Sequence, residues 1–251
     1  MSDVLVGLVS AKGSPGVTTS ALALASRWPR ASLMLEADPF GGDLRAGLGN
    51  GQWPPAAGIM EAVVDLRSTN LDAALGRRVH RPTEYSPPVL AGIGCVGQAS
   101  TLPWSRIGTA LARLPGVDVV ADCGRFAVAD GVTPLLRACD VIVVVTGSSL
   151  RAVRAASRIA PLLQEELEVR PGDPRVSVLV VDAGAPYPAA EIAGACRLPL
   201  LGELPDDPRA AAVWSDGDRP DRGFGRSPLQ REARGLAGAL AAFGDGRRGA
   251  A

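Results

Sequence analysis

Val4-Leu5-Val6-Gly7-Leu8-Val9-Ser10-Ala11-Lys12-Gly13-Ser14-Pro15-Gly16-Val17-Thr18-Thr19-Ser20 is the stretch on which the reading of this chain turns. Its first half is an apolar run of strand character, and its middle is a loop bearing Gly13 and Gly16. Ala21-Leu22-Ala23-Leu24-Ala25 then continues as a helix. Strand, glycine loop and helix in that order are the layout of a phosphate-binding loop. Backbone N–H groups and the positive end of the helix dipole hold a polyphosphate there.

The Walker pattern G-x-x-x-x-G-K-[ST] is met only in part. Gly16 and Thr18 fit, but Ala11 stands at the first glycine and Val17 at the lysine. A lysine does occur five residues earlier, at Lys12, and every other basic side chain in the chain is an arginine. The composition is rich in Ala, Gly, Arg and Pro, a bias that turns lysine into arginine wherever either serves. A tight phosphate site is where they differ, because a compact ammonium fits where a planar fork does not.

At 251 residues the default is one α/β domain, and a hydrophobic share of 47% supplies its core. Only 4% of residues are aromatic, so that core is mainly aliphatic. The formal net charge of zero gives no global field to attract nucleic acid or anionic membrane. Cys95, Cys123, Cys139 and Cys196 show no C-x-x-C spacing and read as free thiols, mostly buried, in a reducing compartment. No basic leader and no apolar run of membrane-spanning length is present in the sequence, so a cytoplasmic protein is expected. The lone His80, among arginines, reads as a surface residue.

Taken in order, Val17–Trp28 reads as a helix and Ser32–Ala37 as a strand ending in Glu36-Ala37-Asp38-Pro39-Phe40-Gly41-Gly42-Asp43. Pro39 and the glycine pair make that acidic cluster a loop at the carboxyl end of its strand, where ligands bind in open parallel sheets. Gly58–Leu66, Leu71–Leu75 and Trp104–Leu114 read as helices, Val89–Ile93 as a strand, and Arg77–Pro88 as an irregular excursion. Val117–Gly124 is a strand ending in Asp122, with Gly124 allowing a sharp turn. Such an aspartate holds a water on Mg²⁺, and the glycine amide faces a γ-phosphate. Val141–Val145 and Val176–Val181 read as buried strands, and Leu150–Leu167 as a long helix capped by Ser148 or Ser149. A helix over Ala189–Cys196 and a strand over Leu198–Leu204 follow. After a Gly/Arg/Asp-rich loop at Gly217–Arg226, a helix over Pro228–Phe243 closes a single domain, leaving 244–251 as a flexible tail. Alternating strands and helices give an α/β fold of three layers, a mostly parallel sheet with helices on both faces.

This order of features resembles the MinD/ParA group of P-loop ATPases, whose deviant Walker loop reads K-G-G-V-G-K-T-T. Lys12-Gly13-Ser14-Pro15-Gly16-Val17-Thr18-Thr19 matches five of those eight places. Asp38-Pro39 with Gly41 is similar to the group's switch I, and Asp122-Cys123-Gly124 to its Walker B and switch II. Leu198 to Asp206 is similar to its last strand and the loop after it, and the likeness is closest to the TadZ/CpaE-like members that position pilus or secretion machinery.

The resemblance implies a P-loop NTPase fold and a nucleotide-dependent homodimer that positions a cellular machine or partitions DNA, with ATP and Mg²⁺ as cofactors. It implies that Lys12 reaches the partner subunit's nucleotide and that Asp38 orients the attacking water. Gly13, Ser14, Pro15, Gly16, Val17, Thr18 and Thr19 would cradle the phosphates. Thr18 and, through water, Asp122 would hold the metal, and Gly124 would serve switch II. Asp182, Pro205 and Asp206 would border the base.

Three departures set the alternatives. Val17 removes a charge-assisted hydrogen bond worth roughly 1.5–3 kcal/mol, which leaves slow ATP hydrolysis or a pseudo-ATPase scaffold. Pro15 deletes one amide from the cradle, and Asp182 in place of Asn leaves GTP open beside ATP. A DNA-partition role needs an exposed basic patch, for which Arg151, Arg154 and Arg158 share a helix face and Arg219, Arg222 and Arg226 a loop. The last helix carries an apolar stripe, Leu229, Leu236, Leu240 and Phe243, with few basic residues, which argues for docking on the domain and against membrane. A small-molecule kinase of the same fold would keep the loop lysine.

Overall fold

In the computed structural model, which describes residues 3–12, 16–54, 58–127, 131–182 and 186–248, the opening apolar run forms β1 (Leu5–Ser10) with every residue buried. Side chains alternate across it: Leu5 and Val9 join one core, Val6 and Leu8 the other. Burial on both faces requires helices on both, so the sheet sits as the middle of three layers. The strands β2 (Ser32–Glu36), β3 (Val89–Leu90), β4 (Asp118–Arg125), β5 (Val141–Gly147), β6 (Val176–Val181) and β7 (Leu200–Leu204) pair in parallel in the order β3-β2-β4-β1-β5-β6-β7.

The helices are α1 (Val17–Ser26), α2 (Ile59–Asp65), α3 (Leu71–Arg78), α4 (Trp104–Leu111), α5 (Thr133–Ala138), α6 (Leu150–Glu166), α7 (Ala189–Cys196), α8 (Pro208–Ser215) and α9 (Pro228–Arg248). Leu22, Leu24, Val213, Leu229 and Leu240 carry α1, α8 and α9 onto one face of the sheet. Ile59, Ile107, Leu135, Leu163 and Ile192 carry α2 and α4 to α7 onto the other. Ser149 caps α6, its hydroxyl accepting from the Ala152 amide at 3.3 Å.

Several expectations are corrected. The strand expected over Val89–Ile93 stops at Leu90, because the next groups have other partners: the Ala91 carbonyl accepts from Ile59 N, and Gly92 N donates to Glu36. The last helix does not end at Phe243. It runs to Arg248, and Asp245 within it accepts from Arg30 at 2.7 Å. Helix α3 likewise runs past Leu75 to Arg78, whose guanidinium pairs with Asp65. Helices α5 and α8 were absent from the sequence reading. In α8 the reason is local: Pro208 looks like a breaker but sits in the first turn, where proline is welcome, and Asp207 caps it through Ala210 N at 3.1 Å. His80 is half-buried, stacked on Trp53 at 4.6 Å and paired with Val89 through the backbone, not a simple surface residue. Cys123, Cys139 and Cys196 are buried free thiols, and Cys95 is exposed.

Candidate functional site

Three adjacent strands, β2, β4 and β1, deliver their carboxyl-end loops to one place. A cavity of about 660 Å³ opens there, walled by the start of α1, the loop after β2 and the end of β4. Parallel sheets bind ligands at this edge because strand ends and helix amino termini converge on it.

Helix α1 starts at Gly16, whose φ of 81° is left-handed and favours glycine. The first amides of α1 have no partner within the helix, so its positive end faces the cavity. Val17, at the place of the loop lysine, is only 7% exposed and belongs to the core beside α1. Thr18 and Thr19 line the cavity on the next positions.

The Thr18 hydroxyl donates to Asp122 Oδ2 at 2.5 Å, and the Gly124 amide donates to Asp122 Oδ1 at 3.0 Å. Thr18 stands in the first turn of α1, the helix that follows β1, and Asp122 stands on β4, which pairs with β1 in the register Leu8↔Asp122, so threonine and aspartate meet although 104 residues separate them. Burial pushes the Asp122 carboxyl up to about 6; the bonds from Thr18 and Gly124 oppose that rise and the nearby Asp38 adds to it.

Asp38 holds its own loop, accepting from Phe40 N at 2.8 Å through its side chain and from Gly41 N at 3.1 Å through its carbonyl. Its carboxylate lies close against Gly124. A Cβ built on Gly124, where φ is 60°, would stand 2.1 Å from the Asp38 carboxyl carbon. Glycine is therefore required at this position near the end of β4, where the ladder with β1 is irregular, on two counts, conformation and space.

Behind this pair lies Glu36, also buried, accepting from Leu44 N at 3.0 Å and Gly92 N at 2.8 Å. Burial pushes it up to about 7, against those two bonds and with help from the charges of Asp122 and Asp43. Glu36 thereby ties the loop after β2 to the loop after β3.

The described lining residues include three carboxylates, Asp38, Asp43 and Asp122, and one cation, Arg125. The Arg125 guanidinium sits 6.0 Å from the centre of the Phe40 ring, a cation–π contact on a side chain that is itself 48% exposed. Sequence reading stopped at Gly124 and missed Arg125, although it is the next residue. It also missed Trp214, which closes the cavity from α8.

Other expected site residues stand elsewhere. Gly13, Ser14 and Pro15 lie outside the described residues. Lys12 is exposed and does not line the cavity. Asp182, with Pro205 and Asp206, stands at the ends of β6 and β7, where Asp182 N donates to Leu204 O at 2.9 Å. None of these three lines the cavity either. Arg151, Arg154 and Arg158 are exposed on α6 and form no ion pair among the described residues.

An acid-rich cavity with a threonine hydroxyl whose proton is spent on Asp122 and whose oxygen lone pairs remain open fits a hydrated divalent cation. Mg²⁺ suits such a site, because it keeps several waters and takes one or two protein oxygens with the rest from phosphate. Thr18 and Asp122 are the groups that would hold it.

No family model matches the chain. The uncharacterized proteins Rv3660c and MT3760, from two strains of Mycobacterium tuberculosis, are each 30% identical to it over 250 residues, covering 98% of this chain and 67% of theirs. Among solved structures, a ParA family ATPase from Chlorobium tepidum superposes with a TM-score of 0.72 at 17% identity, over 94% of this chain and 98% of that one. The septum site-determining protein MinD from Pyrococcus horikoshii, complexed with Mg-ADP, gives 0.69 at 16% identity, over 95% and 96%. A plasmid partition protein from Borrelia burgdorferi bound to AMPPNP gives 0.66 at 12%, over 96% and 99%. The chain thus belongs to the family of the mycobacterial protein Rv3660c, and its fold is that of the MinD and ParA ATPases.

Proposed function

We propose that this protein binds a nucleoside triphosphate with Mg²⁺ in the cavity between β1, β2 and β4 and acts as a dimeric positioning switch of MinD/ParA type with slow hydrolysis. The observation that carries the reading is the Thr18–Asp122 hydrogen bond at a helix amino terminus, with Asp38 beside it against Gly124. Hydroxyl, metal-water carboxylate, water-orienting carboxylate and glycine amide are the parts that phosphoryl transfer requires. Val17 withholds the lysine charge, and Arg125 is the described side chain placed to supply part of it. Exposed Lys12 is free to serve a second subunit, as in a nucleotide-sandwich dimer. The cargo is a pilus, secretion or partition machine; DNA is a cargo class supported by the exposed Arg151, Arg154 and Arg158.

Calorimetry with ATP and GTP, with and without Mg²⁺, tests this. Mg²⁺-dependent binding is expected, together with a doubling of mass in solution that Lys12→Ala abolishes. No heat at millimolar nucleotide would sink the proposal. Binding without phosphate release identifies a switch driven by occupancy alone, the scaffold reading.

A further inference from the structure

A second cavity lies at the opposite end of the sheet, under the amino ends of β2 and β4, with a volume of about 530 Å³. Its roof is the excursion after α3, for which the nucleotide reading has no use. We propose that it is a binding site for an amphipathic anion, a molecule with a compact aromatic or aliphatic body and one carboxylate, sulfonate or phosphate. The inference does not depend on nucleotide binding.

Volume and walls come first. A space of this size is in the range of small-molecule sites, roughly 300–1,000 Å³, and too small for a folded partner. Leu33, Leu75, Val79, Leu114 and Val117 make an apolar floor. The Trp28 indole N–H is spent on Asp118 at 2.5 Å, so Trp28 brings no unsatisfied donor to the wall.

Charge comes second. Arg27, Arg30 and Arg81 line the cavity, against a single lining carboxylate, Glu84. Arg30 is committed to Asp118 and Asp245. Arg27 donates to neutral acceptors, the Gln230 side chain and the Gly225 carbonyl oxygen. Its pKa is lowered by burial and by the neighbouring charge of Arg234, the mark of a cation lacking a local anion. Arg81 is exposed and in no ion pair among the described residues. Glu84 lies beside the Tyr85 phenol, whose pKa it raises. The negative end of α1 also points this way, but its last carbonyls are satisfied: Ala23 O by Ser26, Leu24 O by Arg27 N and Ala25 O by Ser32. The balance left for a ligand is positive above an apolar floor.

Preformation comes third. The excursion is pinned by two His80–Val89 backbone bonds of 2.8 Å and by Tyr85, edge-on to Phe224 at 5.7 Å. Ligand sites of this kind are largely formed before binding, which lowers the ordering cost.

The test uses the full chain and 1-anilinonaphthalene-8-sulfonate, an aromatic sulfonate whose fluorescence rises on binding. Saturable one-to-one binding is expected. N-phenyl-1-naphthylamine, the same body without the charge, should bind at least about tenfold more weakly. Gly76 lines the cavity from α3, and a Cβ added there meets nothing within 4 Å. Gly76→Phe should therefore fill the space without disturbing the fold and abolish the signal. Arg81→Glu, at an exposed position, should weaken binding about tenfold and keeps the test open should the phenylalanine variant misfold. Equal affinity in the wild type and Arg81→Glu, or no saturable binding, overturns the proposal.

Discussion

Strand β4 carries two buried aspartates, Asp118 at its start and Asp122 toward its carboxyl end, and the two acids are treated in opposite ways. Asp118 accepts from the Val4 amide at 2.7 Å, the Trp28 indole at 2.5 Å and the Arg30 guanidinium at 2.6 Å. Asp122 accepts from one hydroxyl and one amide and has a second carboxylate as neighbour. A buried charge that is paired and fully hydrogen-bonded holds structure together; one that is neither holds negative charge in reserve for a ligand. The amino end of β4 thus joins α1, β1 and α9, while its carboxyl end forms the site.

The largest expected effect is at the satisfied acid. Asp118→Ala strands an amide, an indole and part of a guanidinium, and should cost about 3 kcal/mol or more in urea unfolding. A loss below about 1 kcal/mol would remove the contrast. At the reserved acid the sign reverses. Asp122→Asn keeps an acceptor for the Gly124 amide, reverses the Thr18 bond so that the new amide NH2 donates to the hydroxyl oxygen, and removes the buried charge, so stability at pH 7.5 should rise, by on the order of 2 kcal/mol, while Mg²⁺-dependent nucleotide affinity falls.

The pH dependence of the wild type follows from the same groups. Asp122 at about 6 and Glu36 at about 7 both titrate above the ordinary range of about 3.9–4.3, so folding favours their protonated forms. Their stabilising contribution is whole below about pH 4 and is lost as pH rises through about 6 and about 7. Unfolding free energy should therefore decline between pH 5 and 7.5, and decline less in Asp122→Asn. A flat or rising profile in that window contradicts the assignment. The smallest effect on stability, within about 0.5 kcal/mol, is expected for exposed Arg125→Ala. Its nucleotide affinity should nevertheless drop about tenfold by calorimetry, the cost of one charge-assisted contact. Unchanged affinity would return the cavity to a purely acidic one served by metal alone.

Much of the fold is legible in the chain itself. The limits of β6 and α7 coincide with the expected Val176–Val181 and Ala189–Cys196, because unbroken apolar runs and helix periodicity are local properties. Prolines caused the main misreading: Pro208 starts a helix. At the site, Thr18, Asp38, Asp122 and Gly124 were legible because each ends or follows an apolar strand. Arg125 was not, since nothing in Gly124-Arg125-Phe126 tells which way the side chain leaves the strand.

By itself the sequence determined the alternation of strands and helices, the place of the glycine loop before α1 and the acids toward the strand ends. These follow from side-chain period and turn chemistry over a few residues. Only the tertiary structure decided which acid is balanced and which is not. Asp118 and Asp122 look alike in Val117-Asp118-Val119-Val120-Ala121-Asp122. The partners that separate them, Trp28, Arg30 and Thr18, arrive from about 90 to 100 residues away through the strand order. A buried charge is governed by whichever groups the fold brings within hydrogen-bond reach, and that neighbourhood is not a local property.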